Sequence, residues 1–263
     1  MRFLNQKNRS ILREMVVTDF KVRYQGSVLG YLWSLLKPLL LFAILYIVFT
    51  KFIRVGSTIP HYPAYLLFGI VVWNFFAEAT SAAMGSIVGR GDLIRKISIP
   101  RYLLVVSSNF SALINFGLNL IIVMLFVVLS GVDPSRSWLL IPALFIELWV
   151  VSLAVGFILA AFYVKYRDAS YIWEVVMQAG FYATPILYPL TVVADKYQKI
   201  LMLNPVAQIL QDARWSLISH DTITSWKVLS LPFSIIPFLV ILIVTLISIV
   251  YFKRESKFFA ENV

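Results

Sequence analysis

The chain of 263 residues contains no cysteine, which excludes a disulfide scaffold, thiolate metal sites and cysteine nucleophiles. It has only two histidines, His61 and His220, far apart in sequence, and each reads as a loop residue rather than a metal ligand. Charge is scarce as well: charged residues make up 14% of the chain, against roughly 25% in a soluble domain. Several catalytic signatures are missing. There is no G-x-x-x-x-G-K-[ST] phosphate loop, no H-E-x-x-H, no G-x-S-x-G and no acidic metal cluster in a basic loop. The chain therefore hydrolyses no ATP by itself and is not expected to be an enzyme, and no cofactor or metal is expected in it.

What is abundant is apolar. Hydrophobic residues reach 60%, aromatic residues 15%, and mean hydropathy is +0.84. A globule of this size cannot hide such a surface from water, so lipid is the solvent for most of the chain. Residues 1–37 are polar and basic, without the short apolar core and cleavage site of a secretory leader.

A hydrocarbon core of about 30 Å needs about 20 apolar residues in a helix. Six windows are predicted to cross: about 38–52, 65–84, 102–129, 139–164, 172–188 and 231–252. Between the last two, 200–203 and 206–210 are apolar but too short to span, and read as re-entrant or interfacial helices broken at Asn204-Pro205. The expected fold class is thus an all-α integral membrane protein, with a cytoplasmic segment 1–37, a transmembrane domain 38–252 and a cytoplasmic tail 253–263. Of the 23 basic residues, sixteen fall on the side shared by both termini and seven on the other, which predicts cytoplasmic termini. The net charge of +10 is then a signal of topology and lipid headgroups rather than of nucleic acid, since no soluble basic domain exists to bind it.

Three kinds of element point toward function. Residues 8–23 place Ile11, Leu12, Met15, Val16 and Phe20 near one face and Arg9, Arg13 and Lys21 elsewhere, the pattern of an amphipathic helix on the membrane surface; a plain juxtamembrane anchor reads the same way. In the loop 85–101, Asp92 can cap a short helix whose Leu93, Ile94 and Ile97 share a face, stopped by Pro100. Such a helix is too short to stand alone and needs a partner surface, unless its side chains dip into the headgroups. Within the spans, Glu78, Glu147 and Glu174 should face protein or a wet path, and Asn115 and Asn119 share one face of the third span. Trp73, Phe76, Phe181, Tyr182 and Tyr188 suit a path for a carbohydrate chain, because sugar rings stack on aromatic faces; an interfacial aromatic belt is the ordinary alternative.

Several blocks occur in order along nearly the whole chain: Asp19-Phe-Lys-Val-Arg-Tyr24, Gly26-Ser27, Leu29-Gly30-Tyr-Leu-Trp33-Ser34, Lys37-Pro38, Leu93-Ile94-Arg95-Lys96, Ile99-Pro100-Arg101, Tyr166-Arg167-Asp168, Ala183-Thr184-Pro185-Ile186-Leu187-Tyr188-Pro189, and Asn204-Pro205 followed by Arg214. Together they resemble the ABC-2 type permeases that export O-antigen, teichoic acid and related polysaccharides. The resemblance implies a half-transporter in the bacterial cytoplasmic membrane, a homodimer joined by two copies of a separate ATPase that binds ATP and magnesium. Its cargo would be a glycan on a polyprenyl diphosphate. The amphipathic helix would be a gate helix, with Arg9, Arg13, Phe20, Arg23 and Tyr24. Asp92, Leu93, Ile94, Arg95, Lys96 and Ile97 would form the coupling helix that docks on the ATPase, with Arg167 and Asp168 as a second contact. Trp73, Phe76, Glu78, Phe181, Tyr182 and Tyr188 would line the path. A membrane-embedded enzyme acting on polyprenyl-linked sugars is the main alternative, disfavoured by carboxylates scattered over different depths; a secondary transporter lacks its pair of matching broken helices.

Overall fold

The computed structural model describes residues 6–24, 26, 29–96, 99–230 and 232–259. Every regular element among them is helical. The order is α1 (Gln6–Tyr24), α2 (Leu32–Ile47, continued by a π-helical turn Val48–Phe52), α3 (Tyr62–Gly85), α4 (Gly91–Lys96), α5 (Tyr102–Leu129), α6 (Ile141–Lys165), α7 (Ala169–Ala183), α8 (Asp195–Met202), α9 (Pro205–Leu217), α10 (Ser225–Leu229) and α11 (Ile236–Glu255). Pro63, Pro142, Pro205 and Pro237 each occupy the first turn of their helix, where a missing N–H is no loss and the fixed φ suits the helix.

Among the described residues, five stretches are long and apolar enough to cross a membrane: Leu32–Phe52, Tyr62–Gly85, Tyr102–Leu129, Arg136–Lys165 and Phe233–Phe258. The chain is an integral membrane protein. Compared with the sequence expectation, the first crossing begins six residues earlier, because the helix runs straight through Lys37-Pro38. The expected span 172–188 differs more. Its helix, α7, has 15 residues and ends at Ala183, about 22 Å at 1.5 Å per residue, and Thr184 turns extended. The Asn204-Pro205 break is present, with Asn204 Oδ1 capping α9 at Val206 N, 3.0 Å away. The helix that follows is longer than the apolar 206–210 suggests, because its polar residues Gln208, Gln211, Asp212 and Arg214 are all buried.

α3 is the axis of the bundle. It packs against α2, α5, α6, α7 and α9, and its Leu66, Leu67, Phe68 and Ile70 are sealed from solvent. The main apolar core surrounds it. A second core closes one end of the bundle, where Ala83, Ile87, Leu104, Val164, Phe252 and Phe259 meet beneath α1 and α4. A third, smaller one, from Leu190, Met202, Ala207 and Leu229, holds α8–α10 together at the other end. α11 exposes Leu242, Leu246 and Val250, the all-apolar surface that suits lipid.

Candidate functional site: a polar face on the central helix and a clamp at its end

From Tyr65 to Gly85, the residues of α3 that are not buried are Asn74, Ala77, Glu78, Ser81, Ala82 and Gly85. The first four follow helical spacing along one side. A helix facing lipid would show Leu, Ile or Val there, as α11 does. This face instead opens on a cavity of about 480 Å³ between α2, α3 and α5, lined also by Trp33, Ser34, Lys37, Asn115 and Asn119. Asn115 Nδ2 donates to Glu78 Oε2 at 2.7 Å. Asn119 Nδ2 donates to the Asn115 carbonyl at 2.9 Å and to that of Ser34 at 3.3 Å. The shared face of Asn115 and Asn119 expected from their spacing thus both bridges helices and borders the cavity.

The opposite side of α3 carries the aromatic residues. Trp73 and Phe76 are buried; the Trp73 indole lies against Gly180 of α7, where a β-carbon would be only 2.7 Å from the ring. Phe181 meets Trp73 edge-on, and Trp173 donates its indole N–H to Thr80 Oγ1 at 3.2 Å. Tyr182 is exposed, and the Tyr188 hydroxyl donates to the Tyr182 carbonyl at 3.1 Å. So the six expected path residues divide: Glu78 lies on the polar face, Trp73 and Phe76 fix α7 to α3, and Phe181, Tyr182 and Tyr188 sit at the end of α7.

Beyond α7 the chain leaves the helix at Thr184 and makes a buried turn from Thr184 to Leu187, and its carbonyls need donors. Arg214 of α9, itself wholly buried, donates to Pro185 O and, at 2.8 Å, to Ile186 O. The Tyr62 hydroxyl donates to Leu187 O at 3.1 Å and the Tyr65 hydroxyl to Tyr188 O at 3.3 Å. Four consecutive carbonyls are thereby satisfied by three side chains. Arg214 also donates to Tyr65 O at 3.0 Å and stacks on the Tyr65 ring. Gly69 makes this possible, because a β-carbon there would strike Arg214 Nη2. Burial lowers the Arg214 pKa to about 10, opposed by the adjacent tyrosines, so the side chain stays cationic at neutral pH.

Next to the clamp, Asp212 accepts from Gln208 Nε2 (2.9 Å), Ser225 N (2.8 Å) and Ser225 Oγ (2.7 Å). Burial raises its pKa, and these hydrogen bonds oppose the shift. Glu147 of α6 approaches the same cluster with a buried Oε1 that has no hydrogen-bond partner. Arg214 enters the sequence reading only as part of a motif, and Asp212 not at all. Their signal is a polar set, Gln208, Gln211, Asp212 and Arg214, inside an otherwise apolar helix, which makes sense only if each side chain has a buried partner.

At the opposite end, Asp19 of α1 forms an ion pair with Arg90, just before α4. Arg90 also donates to Ser107 Oγ at 3.1 Å, and Asn8 Nδ2 donates to the Tyr102 hydroxyl at 3.2 Å. Along α1, Ile11, Leu12, Met15 and Val16 are half-buried, while Arg9, Arg13 and Glu14 are exposed. Arg9 and Arg13 line a groove of about 570 Å³ with Phe110 of α5. Asp92 is exposed, and Leu93 and Ile94 pack partly on the second core. Arg167 and Asp168 are exposed in the turn after α6, Arg167 lying over the Tyr163 ring. Ile97 and the side chains of Phe20, Arg23, Tyr24, Arg95 and Lys96 lie outside the described residues.

Residues 12–218, most of the bundle just described, match the ABC-2 type transporter family. The chain belongs to that family. This ABC-2 permease is 32% identical over 204 residues to the O-antigen export system permease protein RfbA of Myxococcus xanthus, covering 77% of this chain and 78% of that one. To a Klebsiella pneumoniae protein of the same name it is 28% identical over 244 residues, 92% and 91% of the two chains. The polysialic acid transport protein KpsM of Escherichia coli is 18% identical over 201 residues, 76% and 78%. The match starts inside α1 and ends just after α9, so it covers both the polar face of α3 and the Arg214 clamp.

Proposed function

We propose that this permease exports a polysaccharide carried on a polyprenyl diphosphate across the bacterial cytoplasmic membrane, as two copies joined to two ATPase subunits. O-antigen and polysialic acid in the names of its relatives support the cargo class. ATP and magnesium belong to the partner, since this sequence has no phosphate-binding loop. The 16 to 7 distribution of basic residues orients the termini to the cytoplasm.

On this reading the membrane is crossed six times. The fifth crossing is α7, about 22 Å of helix, continued by the buried turn Thr184–Leu187 that the bundle encloses. Non-helical backbone is tolerated at that depth where protein groups satisfy its carbonyls, the task of Arg214, Tyr62 and Tyr65. α8 and α9 are then re-entrant from the outer side. α1 lies along the cytoplasmic surface as the gate helix, and its groove with Arg9 and Arg13 offers two guanidinium groups to a diphosphate.

The observation that carries the ATP-driven reading is the Asp19–Arg90 ion pair. It fastens α1 to the base of α4, so a push on α4 moves the gate helix directly. Asp92, Leu93, Ile94, Arg95, Lys96 and Ile97 are the docking segment, with Arg167 and Asp168 beside it. In a strain lacking the permease gene, surface glycan should disappear and return with the wild-type gene. Replacing Leu93 and Ile94 with Asp should abolish co-purification of the neighbouring ATPase while the permease still accumulates in the membrane; an intact complex would sink the docking assignment.

A further inference from the structure

The cavity between α2, α3 and α5 is built from groups that lipid cannot satisfy. Asn74, Glu78 and Ser81 come from α3, Asn115 and Asn119 from α5, and Lys37 with Trp33 from the start of α2. Its volume, about 480 Å³, lies within the range of about 300–1,000 Å³ for small-molecule sites. Asn115 is nine-tenths buried; its Nδ2 is committed to Glu78, but its Oδ1 has no hydrogen-bond partner. That oxygen is closed off from the cavity, so the part Asn115 plays there is to hold the Glu78 carboxylate in place.

Charge narrows the ligand class. The lining contains one cation, Lys37, and one carboxylate, Glu78, so the cavity carries little net charge. A diphosphate would face Glu78 with a single lysine to offset it, a poor match compared with the arginine groove on α1. A sugar ring fits better. Its hydroxyls can donate to Glu78 and accept from Lys37 and Asn74, and the half-exposed Trp33 offers an indole face to its C–H edges. Resting on the export reading, we propose that this cavity is a contact site for neutral sugar residues of the passing chain, set on the polar face of α3 and apart from the aromatic residues Trp73 and Phe76 on its other side.

The absence of cysteine makes the test direct. Asn74→Cys and Ser81→Cys, made singly, are treated in membrane vesicles with a negatively charged methanethiosulfonate reagent, with Leu242→Cys on the lipid-exposed face of α11 as the unreactive control. Membranes come from cells making the glycan and from cells lacking the glycosyltransferase that starts it. Both cysteines should react, at least tenfold more slowly when the glycan is made. Failure to react would mean that lipid or a second copy covers this face, and equal rates in the two membranes would mean that no glycan touches it; either result overturns the site. Glu78→Gln and Asn115→Ala should lower surface glycan at least fivefold with the ATPase complex still assembled, and normal export in both variants would also overturn it. If deletion of the permease leaves surface glycan unchanged, the export reading itself fails; if wild type restores export and the cysteines show no protection, only the site fails.

Discussion

The guanidinium carbon of Arg214 lies 3.5 Å from the centroid of the Tyr65 ring, with the two residues 149 positions apart in the chain. Among the described residues, no carboxylate is in hydrogen-bond contact with the arginine. Three backbone carbonyls and an aromatic face meet it instead, an arrangement that a planar, delocalised cation tolerates far better than an ammonium does. The consequence is mechanical: α9, the start of α3 and the buried turn after α7 form one unit, and the end of the conduit proposed above is fixed by it.

Arg214→Ala should therefore be among the most damaging single substitutions, removing about 3–5 kcal/mol because it orphans several buried carbonyls and leaves a cavity. Arg214→Lys should recover only part of this, since one ammonium lacks the fork that reaches all three carbonyls. Thermal melting of purified protein in detergent measures both; melting points equal to wild type would remove the clamp's structural role.

Gly69→Ala tests the same contact from the other side. The added β-carbon strikes Arg214 Nη2, so this small change should lower the melting temperature clearly, whereas Gly117→Ala, at a glycine with open space around its β position, should not. The Gly69→Ala penalty should shrink in an Arg214→Lys background, because the slimmer head can withdraw; strictly additive effects would mean the two residues do not meet.

Tyr62→Phe and Tyr65→Phe each delete one donor to the segment after α7, at Leu187 and Tyr188. Each should cost about 1–3 kcal/mol, the price of an orphaned buried carbonyl. Tyr65→Leu should cost more than Tyr65→Phe, because it also takes away the ring beneath Arg214. Equal losses for the two would show that the stacking contributes nothing.

Asp212 supplies a pH dependence. Its pKa is raised by burial, so the folded state holds the proton more tightly than the unfolded chain does. The stability this gives is fully present below the ordinary aspartate value and is lost as pH rises through the folded pKa. Asp212→Asn, which keeps an oxygen for Ser225 N, should flatten the melting temperature across that window. A wild-type profile that rises with pH there would contradict the sign.

The Asp19–Arg90 pair is one-quarter exposed on both sides, so solvent screening limits it to about 1 kcal/mol of stability. Its effect on transport should be larger than its effect on folding. Asp19→Asn should reduce surface glycan while leaving the melting point within a degree or two, and the double exchange Asp19→Arg with Arg90→Asp should restore part of the export lost in either single variant. Failure of every such pair to restore export would separate α1 from α4.

Hydropathy and charge are properties of neighbouring residues, so a window of sequence is enough to read them. The long spans were legible in this way, at 102–129 to the residue, as were the Asn204-Pro205 break and the common face of Asn115 and Asn119. The absence of a G-x-x-x-x-G-K-[ST] phosphate loop was equally plain. The end of the helix in the expected span 172–188 was less so, because its apolar run continues past Ala183 and only the bundle decides that the chain leaves the helix at Thr184. Trp73 and Glu78 lie five residues apart in an aromatic, apolar stretch, and only the packing of α7 and α5 puts one in the core and the other on a cavity. Sequence by itself determined an integral membrane helical protein. Tertiary structure decided which face of α3 is polar and what Arg214 holds, because a hydrogen bond between Arg214 and the carbonyl of Tyr65 exists only once folding has brought together residues 149 positions apart.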